Sequence, residues 1–462
     1  MHAFYNSFFL FHVRSLKVLK DAWTLAIETY SWIELRRLNE RLALDRTARQ
    51  LGIEDAKAIR LAHKLVYETI RRQNFIDYFI NSLLKPRQLD DLKLGPKAFL
   101  RLYTYATKWL KQDFEKAVNI AQMGHSILGW HSLQEIEEVL GQILAADLPT
   151  LLYSITDEEK TALLTYHPSW FVKYCFKLFG RREALAFLEN SANVKSTYVR
   201  INTLKTSEET AVKKLENEGV FLEEDEKLKH VYKVLKSQHP LTRTKSFSQG
   251  LFFIQDRASC LATEIANPQS DMTVLDICAA PGAKTTHLTQ LMENKGIIYS
   301  IDYSPRRMKI WEKEIKRMGA EIAMPIVADA RKPLPINVTA DLIVLDPPCT
   351  GTGTFTGTPS AKWRLAEKSA ENMARVQWEI LNQCKEYVKN GGSIVYSTCS
   401  ITLEENEMII EKFLKWHPEF TLVETLPKIG LTGFRGQTKC QRLYPHLHDC
   451  NGFFVAKLLL KS

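Results

Sequence analysis

Residues 274–288 read VLDICAAPGAKTTHL. Val274–Ile277 is a short apolar run of strand type. The loop Cys278–Lys284 is built almost wholly from small or turn-forming residues, and a helix is expected to begin near Thr285. Small side chains let backbone N–H groups and a helix N-terminus approach a ligand closely. The loop has neither the GxGxxG spacing of a dinucleotide site nor the GxxxxGK[ST] spacing of a P-loop.

Working outward, the runs Gly296–Ile301, Ile322–Val327, Leu342–Leu345 and Ser393–Tyr396 repeat the strand pattern, with helical stretches between them. Apolar runs this short, separated by helices, indicate a parallel sheet buried on both faces. Acids stand at the ends of three successive runs: Asp302, Asp329 and Asp346. In open α/β sheets this edge is where ligands bind. Asp302 is placed for ribose hydroxyls and Asp329 for an adenine amino group. Together with the loop they suggest S-adenosyl-L-methionine bound to a Rossmann-like class I methyltransferase sheet.

Two cysteines fall at the same edge. Cys349 lies in DPPCTGTG (346–353) after the fourth run, and Cys399 lies in YSTCS (396–400) after the fifth. An isolated cysteine there reads as a small buried hydrophobe, as do Cys260, Cys278, Cys384 and Cys440. A pair has a chemical use. Carbon 5 of cytosine is a poor nucleophile until a thiolate adds to carbon 6; one cysteine can add while a second assists release. Nearby positive charge favours the thiolate, and a carboxyl group such as Asp346 can stabilise charge developing on the ring. No regular His or Cys ligand spacing accompanies the pair, so no metal is expected.

These residues resemble the Sun/RsmB (Fmu) family of RNA cytosine-C5 methyltransferases. The matching motifs are DICAAPGAK (276–284), Asp302, Asp329, DPPCTGTG, Lys362-Trp363, and YSTCS followed by Glu404-Glu405-Asn406-Glu407. GLFFIQDRAS (250–259) looks like the family's entry motif and RINTLK (200–205) like its preceding small domain. The resemblance implies Cys399 as nucleophile, Cys349 as the cysteine of product release, and Lys284 as a residue orienting Asp346 or the base. It implies a cofactor site made of Cys278, Ala279, Ala280, Pro281, Gly282, Ala283, Lys284, Asp302, Asp329 and Asp346. The loop departs from the common PGGK at Ala283, which is tolerable if its φ is negative. DPPC replaces DAPC, and the extra proline stiffens that loop.

The expected organisation is an all-helical domain over 1–155, a small α+β domain over 156–245 and the methyltransferase sheet over 246–462. The first has apolar positions at helical spacing (Ile59, Leu61, Ala62, Leu65, Val66, Ile70). It resembles NusB-like RNA-binding domains, chiefly by order and length and locally by Leu100-Arg101-Leu102-Tyr103. Arg36, Arg37, Arg41, Arg46, Arg49, Arg71 and Arg72 are read as either solvated helix faces or RNA contacts. Arg306, Arg307, Lys309, Lys313, Lys316 and Arg317 are read first as a solvated face. Tyr444–Cys450 is read as extended, with His446 and His448 pointing apart, followed by a last strand from Gly452 to Leu458.

The chain has 462 residues, 62 Lys+Arg against 53 Asp+Glu, 45% hydrophobic and 25% charged residues. That composition argues against disorder, collagen or coiled coil, and the moderate +9 charge permits a polyanionic partner without naming one. Eight cysteines without a CxxC pair argue against a disulfide scaffold or zinc ribbon. The opening MHAFYNSFFLFHVRSLK lacks the marks of a signal peptide and is expected to be a buried helix. No run approaches a membrane span. The expected protein is a cytoplasmic monomeric enzyme acting on RNA, with rRNA first and tRNA second. The rivals are a DNA cytosine-5 methyltransferase using Cys349 as nucleophile and an inactive RNA-binding scaffold.

Overall fold

A computed structural model describes residues 2–148, 152, 155–191 and 195–461, with side chains from residue 16 onward. The chain forms two compact units: Met1–Ala192 with Phe355–Leu365, and Asn193–Thr354 with Ala366–Ser462.

The first unit is helical. Its opening helix, His2–Arg36, contains the apolar N-terminal stretch; the burial expected of that helix's first side chains lies outside the described residues. Asn39 caps the helix Glu40–Leu51 by accepting from the Leu42 N–H at 2.8 Å, and Gly52 ends it at φ 63°. Asp55 caps Ala56–Arg71; of the expected positions Ala62, Leu65, Val66 and Ile70 are buried in the core, Ile59 and Leu61 pack partly buried against it, and Ala58 is buried beside them. The helix Leu94–Lys108 lies at the centre, and the run Leu100–Tyr103 is wholly buried in it. Arg101 is tolerated there because Asp77 holds it through two nitrogens (2.6 and 2.7 Å) and Glu34 through a third (2.9 Å). Among the described residues no helix is long and apolar enough to cross a membrane.

Phe355–Leu365 leaves the sequence of the methyltransferase region and completes this helical unit. Trp363 packs on the helical core and donates to the Ile70 carbonyl at 2.7 Å. Lys362 donates to the Arg71 carbonyl (2.9 Å), and Arg71 to the Thr356 carbonyl (3.2 Å). The Ser360 N–H is bound by the Glu40 carboxylate. Phe355 meets Phe171 edge-on at 5.1 Å. The helices Asp157–Leu164, Ser169–Phe179 and Arg181–Asn190 also belong to this unit, where Phe171 and Phe187 are buried.

The second unit holds two sheets. In the smaller, β1 (Tyr198–Ile201), β2 (Val220–Glu224), β3 (Val231–Ser237) and β4 (Phe252–Ile254) lie antiparallel in the order β2-β3-β1-β4. The larger contains β5 (Thr273–Ile277), β6 (Ile297–Asp302), β7 (Ala323–Val327), β8 (Ala340–Leu345), β9 (Val388–Thr398), β10 (Phe420–Val423), β11 (Leu431–Thr432), β12 (Gln441–Leu443) and β13 (Phe453–Leu460). Its order is β11-β12-β13-β9-β8-β5-β6-β7, with β10 also paired to β13. Strands β5 to β9 run parallel, and β13 joins β9 antiparallel. Successive side chains go to opposite faces: Leu275, Ile277, Ile343 and Leu345 pack with Ile380, Leu381 and Phe413, whereas Val274, Leu342 and Val344 pack with Leu261, Ile265 and Leu288. The topology reverses between β5 and β8, so the crevice opens where their carboxyl ends diverge.

Candidate active site

The loop after β5 turns at two positions that demand positive φ, Cys278 (64°) and Gly282 (108°). A Cβ at Gly282 would press to 3.2 Å on Trp311, so glycine fits both the angle and the close approach. Ala283 is the first residue of the helix Ala283–Leu291 and keeps a negative φ, so its extra methyl is accommodated. Beneath the loop, Trp311 donates to Thr285 (3.0 Å) and Thr285 to the buried Asp276 (2.5 Å). Burial pushes the Asp276 carboxyl up to about 7. Arg200 of β1 is fully buried and fastens the smaller sheet to the same helix, donating to Thr286 (2.9 Å), Gln290 and Gln255. Burial lowers it to about 10.

A cavity of about 210 Å³ beside the loop is lined by Cys278, Asp302, Asp329, Pro348 and Ile380, among others. Asp302, at the end of β6, is closed in. It accepts from the N–H groups of Ala280 (3.3 Å) and Ser304 (3.0 Å), and Arg307 pairs with it at 3.0 Å while also holding the Ala280 carbonyl. Asp329, after β7, is gripped by Arg331 at 3.0 and 2.7 Å, which pulls its carboxyl down to about 2. A loop of small residues with two carboxylates at successive strand ends fits an adenosyl group bearing a positively charged sulfur.

At the other side of the crevice Lys284 is buried and paired with Asp346. Burial alone lowers a lysine, but the Asp346 carboxylate outweighs it and the Lys284 ammonium is held above its ordinary value. Ser397 also reaches Asp346 at 3.4 Å. Cys349 and Cys399, 50 residues apart, bring their sulfurs to 3.2 Å, and both are partly exposed. The parallel pairing of β8 and β9 explains the meeting. It is secured by Gly353, whose N–H donates to the Cys399 carbonyl (2.9 Å) and whose carbonyl accepts from Gly452 (2.9 Å). A Cβ at Gly353 would fall 2.0 Å from the Gly452 oxygen. The Cys349 thiol is held well above its ordinary range by its hydrogen bond to Cys399, then by burial and the charges of Glu405 and Asp346. Cys260, Cys384 and Cys440 are buried, as expected of packing residues.

Several residues escaped the sequence reading. Glu405 lay within a quoted motif but had no role; in the structure it binds both cysteine loops. Of the cations after Asp302, Arg306, Lys309, Lys313 and Lys316 are exposed. Arg307 instead turns onto Asp302, and Arg317 binds Glu314 and the carbonyls of Phe247 and Phe252. In the helical unit Arg36, Arg37, Arg41, Arg46 and Arg49 are exposed, whereas Arg71 is buried and Arg72 is tied to Glu68. Pro445–His448 is a helical turn rather than a strand, with His448 accepting from the Tyr444 N–H at 2.9 Å. Among the described residues no group of three His, Cys, Asp or Glu is assembled to hold a metal.

The sheet order, the small-residue loop and the acidic strand ends define a Rossmann-like methyltransferase fold preceded by a helical region and a small sheet. The family described as 16S rRNA methyltransferase RsmB/F matches residues 263–459, its ferredoxin-like domain matches 167–238, and the NusB family matches 21–122. The probable ribosomal RNA small subunit methyltransferase B of Bacillus subtilis is 28% identical over 451 residues, 95% of this chain and 98% of its own. The tRNA (cytosine(72)-C(5))-methyltransferase of Pyrococcus horikoshii is 39% identical over 222 residues, 47% of this chain and 54% of its own. The crystal structure of PH0851 superposes with a TM-score of 0.84 at 30% identity, covering 96% of this chain and 99% of that one. NSun6 from Pyrococcus horikoshii, solved with the adenosyl-methionine analogue SFG, gives a TM-score of 0.61 at 28% identity over 65% of this chain and all of its own. The chain belongs to the RsmB/F family of RNA cytosine-C5 methyltransferases.

Proposed function

We propose that the protein, a cytoplasmic monomer, methylates carbon 5 of a cytosine in RNA, ribosomal RNA before transfer RNA, with S-adenosyl-L-methionine as donor. The observation that carries this reading is the thiol pair at 3.2 Å beside the Lys284–Asp346 ion pair. S-adenosyl-L-methionine supplies an electrophilic methyl on a sulfonium; Cys278–Lys284, Asp302, Asp329 and Asp346 would hold it. The target base leaves its stack, or is already single-stranded, to reach the crevice. The Cys399 sulfur adds to carbon 6, and the electrons pass through carbon 5, which takes the methyl. The negative charge that gathers on the ring is offset by the Lys284 ammonium, and the Asp346 carboxylate that Lys284 holds in place can accept from the cytosine amino group. The carbon-5 proton then passes to water in the crevice, its electrons restore the 5,6 double bond, and the Cys399–carbon 6 bond breaks with its electron pair returning to the sulfur.

Cys349 suits the release step. Its hydrogen bond to Cys399, burial and the nearby acids keep Cys349 a thiol, and at 3.2 Å that thiol can give its proton to the departing Cys399 sulfur. Two features favour RNA over DNA: the second cysteine motif at Cys399 and the ferredoxin-like and NusB regions upstream. Incubation with labelled donor and matched RNA and DNA substrates, followed by nucleoside mass spectrometry, should give 5-methylcytidine from RNA alone. Product from DNA only, or no binding of donor in calorimetry, would overturn the reading. Bisulfite sequencing of RNA from cells lacking the protein should show an unmodified cytosine in ribosomal RNA.

A further inference from the structure

Glu405 is fully buried, yet it is a carboxylate with five donors directed at it. Its Oε1 accepts from the Thr350 N–H (2.8 Å) and from Gln377 Nε2 (2.9 Å). Its Oε2 accepts from the hydroxyls of Thr350 (2.5 Å), Ser400 (2.6 Å) and Thr402 (2.8 Å). Thr350 follows Cys349 and Ser400 follows Cys399. Gln377 also donates to the Pro348 carbonyl (2.9 Å), so both flanks of Cys349 are tied to the same centre. Tyr396 donates to the Glu405 carbonyl at 2.6 Å and fixes the backbone from below. A buried carboxylate is costly unless its acceptors are filled. Here four of the five donors come from the two loops that carry the thiols, and Gln377, from the helix Ser369–Cys384, is the fifth.

We propose that Glu405 is the positioning residue that sets the spacing of Cys349 and Cys399, acting through Thr350 and Ser400 without touching the substrate. The inference rests on the cysteine chemistry proposed above. An amide at this position would turn a donor toward groups that themselves donate. Hydrogen bonds to a carboxylate are stronger than those between neutral groups, so the loops have a strong reason to keep this register. Glu405 also acts on Cys349 through space, together with Cys399 and Asp346, the last paired to Lys284. All three make Cys349 harder to ionise.

The test compares full-length wild type, Glu405→Gln and Glu405→Asp. Two readouts are taken: steady-state methyl transfer to RNA, and the pH dependence of Cys349 alkylation by iodoacetamide, read by peptide mass spectrometry. Glu405→Gln should lower kcat about tenfold or more with KM for RNA unchanged, which corresponds to losing one such bond. Its alkylation midpoint should move to lower pH, because a negative charge beside the thiol is gone. Glu405→Asp, shorter but still charged, should lose kcat while keeping the midpoint near that of wild type. If Glu405→Gln does not fold, Ser400→Ala removes one of the five bonds and should give a smaller fall in kcat. Wild-type kcat and an unmoved midpoint in Glu405→Gln, or wild-type kcat in Ser400→Ala, would overturn the proposal. The alkylation readout needs no turnover. If wild type made no 5-methylcytidine, the functional reading would fail while the midpoint still judged Glu405.

Discussion

Two buried lysines divide the molecule by purpose. Lys284, in the crevice, faces the Asp346 carboxylate and is held above its ordinary pKa. Lys362, in the helical unit, donates to the Arg71 carbonyl and is driven well below its ordinary value, by burial first and then by Arg71 and Arg72. The crevice matches its charges to carboxylates and leaves Asp346 partly exposed, where a reacting base can use it. Phe355–Leu365 uses its polar groups as pins into backbone carbonyls, and buries them. A motif lysine is therefore no guide to chemistry until its partner is known.

Breaking the crevice pair should have the larger effect. Lys284→Ala frees the Asp346 carboxylate from its cation and should lower single-turnover methyl transfer about 100-fold or more, in line with loss of one preorganised electrostatic contact. Unchanged turnover would make the pair merely structural and remove the contrast with Lys362.

Lys362 should declare itself in stability. A lysine whose folded pKa lies below its ordinary 10.5 binds fewer protons folded than unfolded between those two values. Stability therefore rises with pH across that window, with a limiting slope of about 1.4 kcal/mol per pH unit for one proton. Lys362→Met abolishes this contribution, so urea unfolding should show wild type gaining on the variant as pH rises toward 10.5. A constant difference would mean that Lys362 keeps its proton throughout.

The smallest effect belongs to the exposed cations. Arg41→Ala with Arg49→Ala should leave turnover at saturating RNA unchanged and weaken RNA binding modestly. The slope of log affinity against log salt should flatten by about one to two. No change in slope would return these arginines to plain solvated helix faces.

The strands were legible because each is a short apolar run between helices, and β5 to β9 lie where those runs fall. The meeting of Cys349 and Cys399 followed from two motifs ending neighbouring parallel strands. Glu405 was not legible as a hub, because its donors are a backbone N–H, two threonines and a serine that any loop contains, and a glutamine from a separate helix. The docking of Phe355–Leu365 into the helical unit was hidden for another reason: its partners are backbone carbonyls of Ile70 and Arg71, which carry no sequence signal. The pairing of Asp302 with Arg307 was also invisible, since Arg307 sits in a run of cations of which Arg306, Lys309, Lys313 and Lys316 are exposed.

The division of labour between the two thiols is the central claim, and covalent trapping tests it most directly. Cys349→Ala, incubated with donor and RNA and resolved on a denaturing gel, should accumulate a protein–RNA adduct, because addition survives and release fails. Cys399→Ala should give neither adduct nor product. Full activity in Cys399→Ala, or an adduct that depends on Cys349, would contradict the account.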